Sequence, residues 1–286
     1  MRRTLAFLVL AAALAAPAAT AGAGASGAFF ISSCRFAHRA PDDPIVYPRA
    51  PGFSHDHSFV GNVSTNAFST LSSLRRAGTT CTPRGDTAAY WAPTLYADGR
   101  PVVPSAATIY YRRLTAAPVR PFPAGLRMVA GDSHAVRAQS VAVTYWDCSL
   151  VKTTFYGPNG AGVSPLDARS SEVPVCPGRA QLQLHVSFPE CWDGRRLDSP
   201  DHRSHMAYAA GGRCPAAHPV AVPGLELVYR YPSNAVAGAH VVILSSGGQH
   251  SGHADFVNAW RQDELARLVR HCLDGYAYCS ADVNLG

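Results

Sequence analysis

Eight cysteines, Cys34, Cys81, Cys148, Cys176, Cys191, Cys214, Cys272 and Cys279, most limit the folds open to this chain. None forms a Cys-x-x-Cys pair, the spacing of thiolate metal clusters, and all lie downstream of a segment that reads as an export signal. That segment has a basic tip at Arg2 and Arg3, an apolar run from Leu5 to Ala16, and small residues ending Ala19-Thr20-Ala21. This is the pattern of a cleaved secretory peptide over residues 1–21. Its apolar run is shorter than the roughly 20 residues that cross a bilayer, so no membrane span is expected once the signal is cut. In an oxidising compartment an even cysteine count predicts about four disulfides. Cys191 with Cys214 and Cys272 with Cys279 would close short loops and are the expected pairs.

Residues 22–28 are a Gly/Ala/Ser spacer, and one globular domain is expected over 29–286. The spacer contains Gly22-x-Gly24-x-x-Gly27, but no strand precedes it and no helix follows, so it is not a dinucleotide fingerprint. Short β-type runs recur between Pro and Gly signals: Phe29 to Ile31, Ala107 to Tyr111, Leu126 to Ala130, Val141 to Trp146, Leu182 to Phe188 and Leu225 to Tyr231. The alternation Gln181-Leu182-Gln183-Leu184-His185-Val186 is the clearest half-buried strand. Strands separated by irregular loops predict a mainly β, single-domain body, a β-sandwich or jelly roll with long loops and two short helices. The helices are expected over Thr70 to Arg76 and Asp255 to Cys272, the second with Trp260, Leu265, Leu268, Val269 and Cys272 inward and a break near Asp263. Tyr156 to Pro174 is expected to be an inserted loop.

The net charge of +6 rests almost wholly on arginine, since Lys152 is the only lysine. These arginines are scattered, which is a poor nucleic-acid footprint, and a monomer without a nucleic-acid partner is expected. No Gly-x-Ser-x-Gly, His-Glu-x-x-His or Walker-type loop is present.

The unusual feature is the company the histidines keep. They fall in polar groups: His55-Asp56-His57, Asp132-Ser133-His134, Asp201-His202-Arg203-Ser204-His205, and His250-Ser251-Gly252-His253-Ala254-Asp255. In an extended segment His55 and His57 project from one face toward a shared ion or substrate. His202/His205 and His250/His253 are three apart, which converges in a helical turn or tight loop. Each group carries an aspartate able to orient an imidazole through its second nitrogen. The expected pocket gathers His55, His57, Asp132, His134, His202, His205, His250, His253 and Asp255. Of these, His55, His57, His202, His205, His250 and His253 are the candidate metal ligands. Neutral imidazoles suit zinc or copper, and a larger share of carboxylates and water would suit calcium or manganese. A metal-free alternative pairs histidine with a carboxylate as base and acid on a sugar, with Asp193 beside an aromatic platform at Trp192. Trp91, Trp146 and Trp260 are expected in the core. Asn62-Val63-Ser64 is a glycosylation sequon, and Gly61 marks a backbone requirement next to the histidine pair.

Six strings, Ser33-Cys34-Arg35-Phe36-Ala37-His38, Asp42-Asp43-Pro44-Ile45-Val46, Ser54-His55-Asp56-His57-Ser58-Phe59-Val60-Gly61-Asn62, Cys191-Trp192-Asp193-Gly194, Asp201-His202-Arg203-Ser204-His205 and His253-Ala254-Asp255-Phe256, together resemble a secreted family. It is known as a domain of unknown function, number nineteen-ninety-six. The resemblance runs from about Phe29 to Cys279 and implies export, as in bacterial and fungal members, and a role near cell-wall or biomass polysaccharide. His55, His57, His202, His205 and His253 match its histidine motifs, while Asp56 stands where members often have a bulky or amide residue. The resemblance implies no particular reaction. The leading expectation is a metal-assisted extracellular enzyme acting on a polysaccharide or cell-surface glycan. The alternative is a non-catalytic carbohydrate-binding or cell-wall-associated module.

Overall fold

The structure, a computed structural model, describes residues 28–148 and 169–281. The expected signal peptide, the spacer up to residue 27 and most of the expected loop 156–174 lie outside the described residues. Two sheets face each other. The larger has the strand order β17 (Tyr278–Cys279), β1 (Phe29–Cys34), β7 (Ala106–Arg112), β14 (Gly224–Ser233), β10 (Gln181–Ser187) and β9 (Thr144–Cys148). The second runs β2 (Phe36–Ala40), β3 (His57–Gly61), β4 (Ala89–Pro93), β16 (His253–Val257) and β8 (Arg127–Gly131). Two small three-stranded sheets, β12 (Met206–Ala207), β11 (Cys191–Trp192), β13 (Val220–Ala221) and β15 (Val242–Leu244), β5 (Leu95–Ala97), β6 (Arg100–Val102), are formed by the connecting segments. The molecule is a mainly β sandwich, as its sequence predicts.

Because side chains alternate along a strand, each sheet gives one face to the core. Leu182, Leu184 and Val186 point inward from β10 and meet Tyr90, Met128 and Phe256 of the other sheet in one continuous cluster, with Trp146 and Trp260 in the same core. The sheets are also joined by the Tyr229 hydroxyl, which donates to the Ser58 carbonyl at 3.2 Å. The outer face of the five-stranded sheet is covered as well. Phe59, Trp91, Val129 and Val257 pack there under Ile45 and under Leu74 of helix α1 (Leu71–Arg76). Its central strands are therefore buried on both faces, and a polar group on that outer face is shielded from water.

Helix α1 starts as expected at Thr70, whose hydroxyl accepts from Ser73 N–H while the Ser73 side chain caps the Thr70 amide. The second expected helix is shorter than predicted. Residues 255–257 belong to β16, and helix α2 runs Gln262–Leu268 before continuing as a π-helix, Val269–Asp274. The five residues of β16 are buried without exception, so they carry no alternation to separate strand from helix. The run 141–146 is likewise strand only from Thr144.

Four disulfides join Cys34–Cys81, Cys148–Cys176, Cys191–Cys214 and Cys272–Cys279. The two short-loop pairs are those expected from spacing, and each bridge contributes about 2–4 kcal/mol. Among the described residues no helix is long and apolar enough to cross a membrane.

Candidate metal centre

His57 opens β3 and pairs with Pro93 of β4; His253 opens β16 and pairs with Gly131 of β8. With Asp255 paired to Trp91, both imidazoles project from the outer face and flank the end of β4. Gly131 has a φ of +79°, and a Cβ there would lie 2.4 Å from the Gly252 carbonyl, so only glycine lets this chain pass so close to His253. Gly61, at φ +81°, similarly ends β3 against the Cys81 sulfur.

His55 lies two residues before His57 on the same side, as the spacing predicts, with ring centroids 4.2 Å apart. Its Nε2 is 3.1 Å from the Nε2 of His253, a contact between residues 198 positions apart. Asp56 turns the other way, where it accepts from Arg39 Nε at 2.7 Å and from the Tyr96 hydroxyl at 3.2 Å. This residue therefore anchors the segment and leaves the site.

Hydrogen bonds set the tautomers. His57 Nδ1–H donates to the Asp42 carbonyl at 3.0 Å, and His253 Nδ1–H donates to the Ser251 carbonyl at 2.9 Å. In both neutral rings the Nε2 lone pair is thereby free to bind something else. The Nε2 of His57 is fully buried and has no hydrogen-bond partner among the described residues. Burial, reinforced by neighbouring imidazoles, holds His57 well below the ordinary histidine value. Burial also lowers His55 to about 4 and His253 to about 3. The three rings are neutral across ordinary pH.

Two carboxylates complete the cluster. One ligand atom each from His55, His57 and His253 lie within 4.8 Å of one another, and the same holds for Asp43, His57 and Asp255. Both oxygens of Asp255 are buried without a hydrogen-bond partner among the described residues. Desolvation, together with the neighbouring charge of Asp43, raises its carboxyl well above the usual range. Asp43 uses one oxygen to accept from the Ile45 and Val46 amides at 2.8 and 2.9 Å. Sequence reading missed Asp43 as a site residue; its only signal was membership of the Asp-Asp-Pro string.

His55, His253, Asp43 and Asp255 line a cleft of about 510 Å³, with His57 buried behind them. Asp132, His134, His202 and Arg203 line it from facing loops, and Val46 and Tyr47 form a lip. Tyr47 stacks edge-on with Phe53 at 5.4 Å, and Phe53 is 72% exposed, so the lip is an open aromatic surface.

Three other candidate site residues, His205 and His250 of the expected pocket and Asp193 of the metal-free alternative, sit elsewhere. His205 is buried with both nitrogens engaged, by Ser199 Oγ at 2.8 Å and the Arg127 carbonyl at 2.7 Å. His250 donates through Nδ1 to the Ser171 carbonyl and faces a separate hollow with Val173 and Ile243. Asp193 accepts from the Arg195 and Arg196 amides and pairs with the Arg196 guanidinium at 2.7 Å, closing a surface turn. Trp192 donates to the Arg196 carbonyl in the same turn. The sequon asparagine is also occupied: Asn62 is buried and its amide donates to the Leu74 and Thr87 carbonyls, both at 2.8 Å.

Fold and site together define a disulfide-bridged β-sandwich with a histidine-and-aspartate cluster on the outer face of one sheet, where its central strands end. Residues 43–260 match the family described as Domain of unknown function (DUF1996), and the chain belongs to that family. No curated protein and no solved structure matches it.

Proposed function

We propose that this protein is an extracellular zinc-dependent enzyme, with the ion held by His55, His57 and His253 and its fourth position open, acting on a cell-wall or biomass polysaccharide. The observation that carries the reading is the set of buried lone pairs without partners, His57 Nε2 and both oxygens of Asp255, beside two further imidazole nitrogens. Leaving such groups unpaired costs roughly 1–3 kcal/mol each, and a cation beside them offsets that cost. Two nitrogens on one tetrahedral zinc, at about 2.0–2.1 Å each, lie about 3.3 Å apart. The 3.1 Å between His55 and His253 is close to that spacing. Three nitrogens with one position left open suit a catalytic zinc better than calcium, which takes six or more oxygens. Four disulfides support life in an oxidising compartment, and the exposed Tyr47–Phe53 lip is a stacking surface for a sugar ring.

Elemental analysis of tag-free protein after dialysis tests the metal. One zinc per chain is expected, and His55→Ala, at the half-buried ligand, should lower it several-fold with an unchanged circular dichroism spectrum. Stoichiometric copper would replace hydrolytic with redox chemistry, and protein without metal that takes up none would overturn the reading.

The open aromatic lip also favours a second reading, a non-catalytic carbohydrate-binding module. There, glycan binding should vanish in Phe53→Ala and persist in His55→Ala.

A further inference from the structure

We propose that the loop from Asp198 to His205 presents His202 to the cleft as the proton acceptor for a water that attacks an acyl carbon, so that the bond cleaved is an ester. This rests on the zinc reading above. The two histidines of the loop differ in what they have left to offer. His205 is fully buried and both of its nitrogens are spent on holding the loop to Ser199 and Arg127. His202 uses one nitrogen only: Nδ1 lies 2.9 Å from Asp198 Oδ1, and Nε2 has no hydrogen-bond partner among the described residues. Its side chain is 25% exposed and lines the same cleft as His55 and His253. Asp43 of the cluster lines that cleft as well.

The carboxylate partner is itself fixed. Asp198 Oδ1 accepts from the Ser199 amide at 2.9 Å and Oδ2 from Arg127 Nη1 at 3.4 Å. A carboxylate on Nδ1 selects the Nδ1–H tautomer, orients the ring and stabilises the imidazolium once Nε2 has taken a proton. The turn is held by Asp201, whose Oδ1 accepts from the Ser199 hydroxyl at 2.7 Å and from the Arg203 and Ser204 amides at 3.2 and 2.9 Å.

The same contacts argue for an ester over a glycosidic bond. Two-carboxylate glycoside hydrolysis needs an acid and a base free on opposite sides of the sugar, roughly 5–9.5 Å apart. In this cleft Asp201 caps the turn and Asp43 and Asp255 are buried beside His57, which leaves the exposed Asp132 without a second free carboxylate to act opposite it. What remains is an ion to polarise an oxygen and an imidazole to move a proton, the equipment for acyl transfer to water. The water oxygen bonds to the acyl carbon while its proton passes to His202 Nε2. The bond from that carbon to the alcohol oxygen then breaks, and the departing oxygen takes the proton from His202. Ester and water become carboxylic acid and alcohol.

The test uses zinc-reconstituted protein and 4-nitrophenyl acetate as the probe ester. Wild type should hydrolyse it faster than the same concentration of free zinc. His202→Gln should lose about 100-fold in kcat, the scale of a general base, with KM and zinc content unchanged. Added imidazole should restore part of the rate, and the solvent deuterium isotope effect should fall. Asp198→Asn should lower kcat in the same direction. A His202→Gln variant with wild-type kcat would overturn the role, as would zinc-loaded wild type no faster than free zinc. Loss of zinc from His202→Gln would make the residue a ligand and also overturn it. Wild-type protein that binds no zinc would instead overturn the metal centre, and this role with it.

Discussion

Replacing Asp86 with asparagine should change how stability depends on pH. Asp86 is completely buried, and both of its oxygens accept from the Tyr90 hydroxyl at 2.9 Å, with the Ala88 amide adding a bond at 3.1 Å. Tyr90 is in turn hydrogen-bonded to the Tyr111 hydroxyl, which accepts from Trp260 Nε1 at 2.8 Å. Burial raises the Asp86 carboxyl from 3.8 to about 7, even though Ser32, Tyr90 and the Ala88 amide pull the other way. A carboxyl raised on folding binds its proton more tightly in the native state than in the unfolded chain. Its contribution to stability is fully present below pH 3.8 and is lost as pH rises through about 7. At about 1.36 kcal/mol for each pH unit, the loss amounts to about 4 kcal/mol. The carboxamide introduced by Asp86→Asn keeps an acceptor for Tyr90 and Ala88 and carries no titrating proton, so the variant lacks this loss. Guanidinium unfolding at fixed steps from pH 4 to pH 8, with the disulfides intact, measures the difference between Asp86→Asn and wild type at each pH. That difference cancels the titration of the histidine cluster, which both proteins share. It should move in favour of the variant by about 4 kcal/mol over the range. A difference that stays flat to within about 1 kcal/mol, less than one pH unit of linkage, would refute the buried-carboxyl argument.

On the outer face of the larger sheet, burial opposes charge on Glu226. The hydrogen bond from His185 at 3.0 Å and the charge of Arg112 outweigh it and hold the carboxyl at about 2. That depressed value contributes stability above the ordinary 4.5 and loses it as pH falls toward 2, so Glu226→Gln should reduce the acid sensitivity of unfolding between those limits, read by urea titration. Asn62→Ala removes the side-chain donor from the Thr87 carbonyl and one of two donors from the Leu74 carbonyl, which keeps the Ala77 amide, and should lower stability by about 1–3 kcal/mol in thermal or denaturant unfolding. Wild type expressed in a glycosylating host should show no added sugar mass at Asn62, because its amide faces the interior.

The cysteine pairs of short separation, the alternating strand through Leu182, Leu184 and Val186, and the shared side of His55 and His57 were all legible, because each depends on residues near one another in sequence. The stretch from Asp255 to Val257 read as helix, since a strand covered on both faces shows no alternation. Spacing also grouped His202 with His205 and His250 with His253 as equals, although in each pair one ring is spent on backbone or hydroxyl contacts outside the cluster.

What the chain alone determined is a mainly β, disulfide-bridged body and a short roll of residues able to bind a metal. Only the tertiary structure chose among them. Hydrogen bonding of β16 beside β4 and β8 carries His253 to within 3.1 Å of His55, and the loop that supplies Ile45 to the outer core brings Asp43 in with it. Strand pairing between distant segments has no local period to announce it. It is selected by the burial of whole faces, and that is why the partners of His57 are visible only in the folded protein.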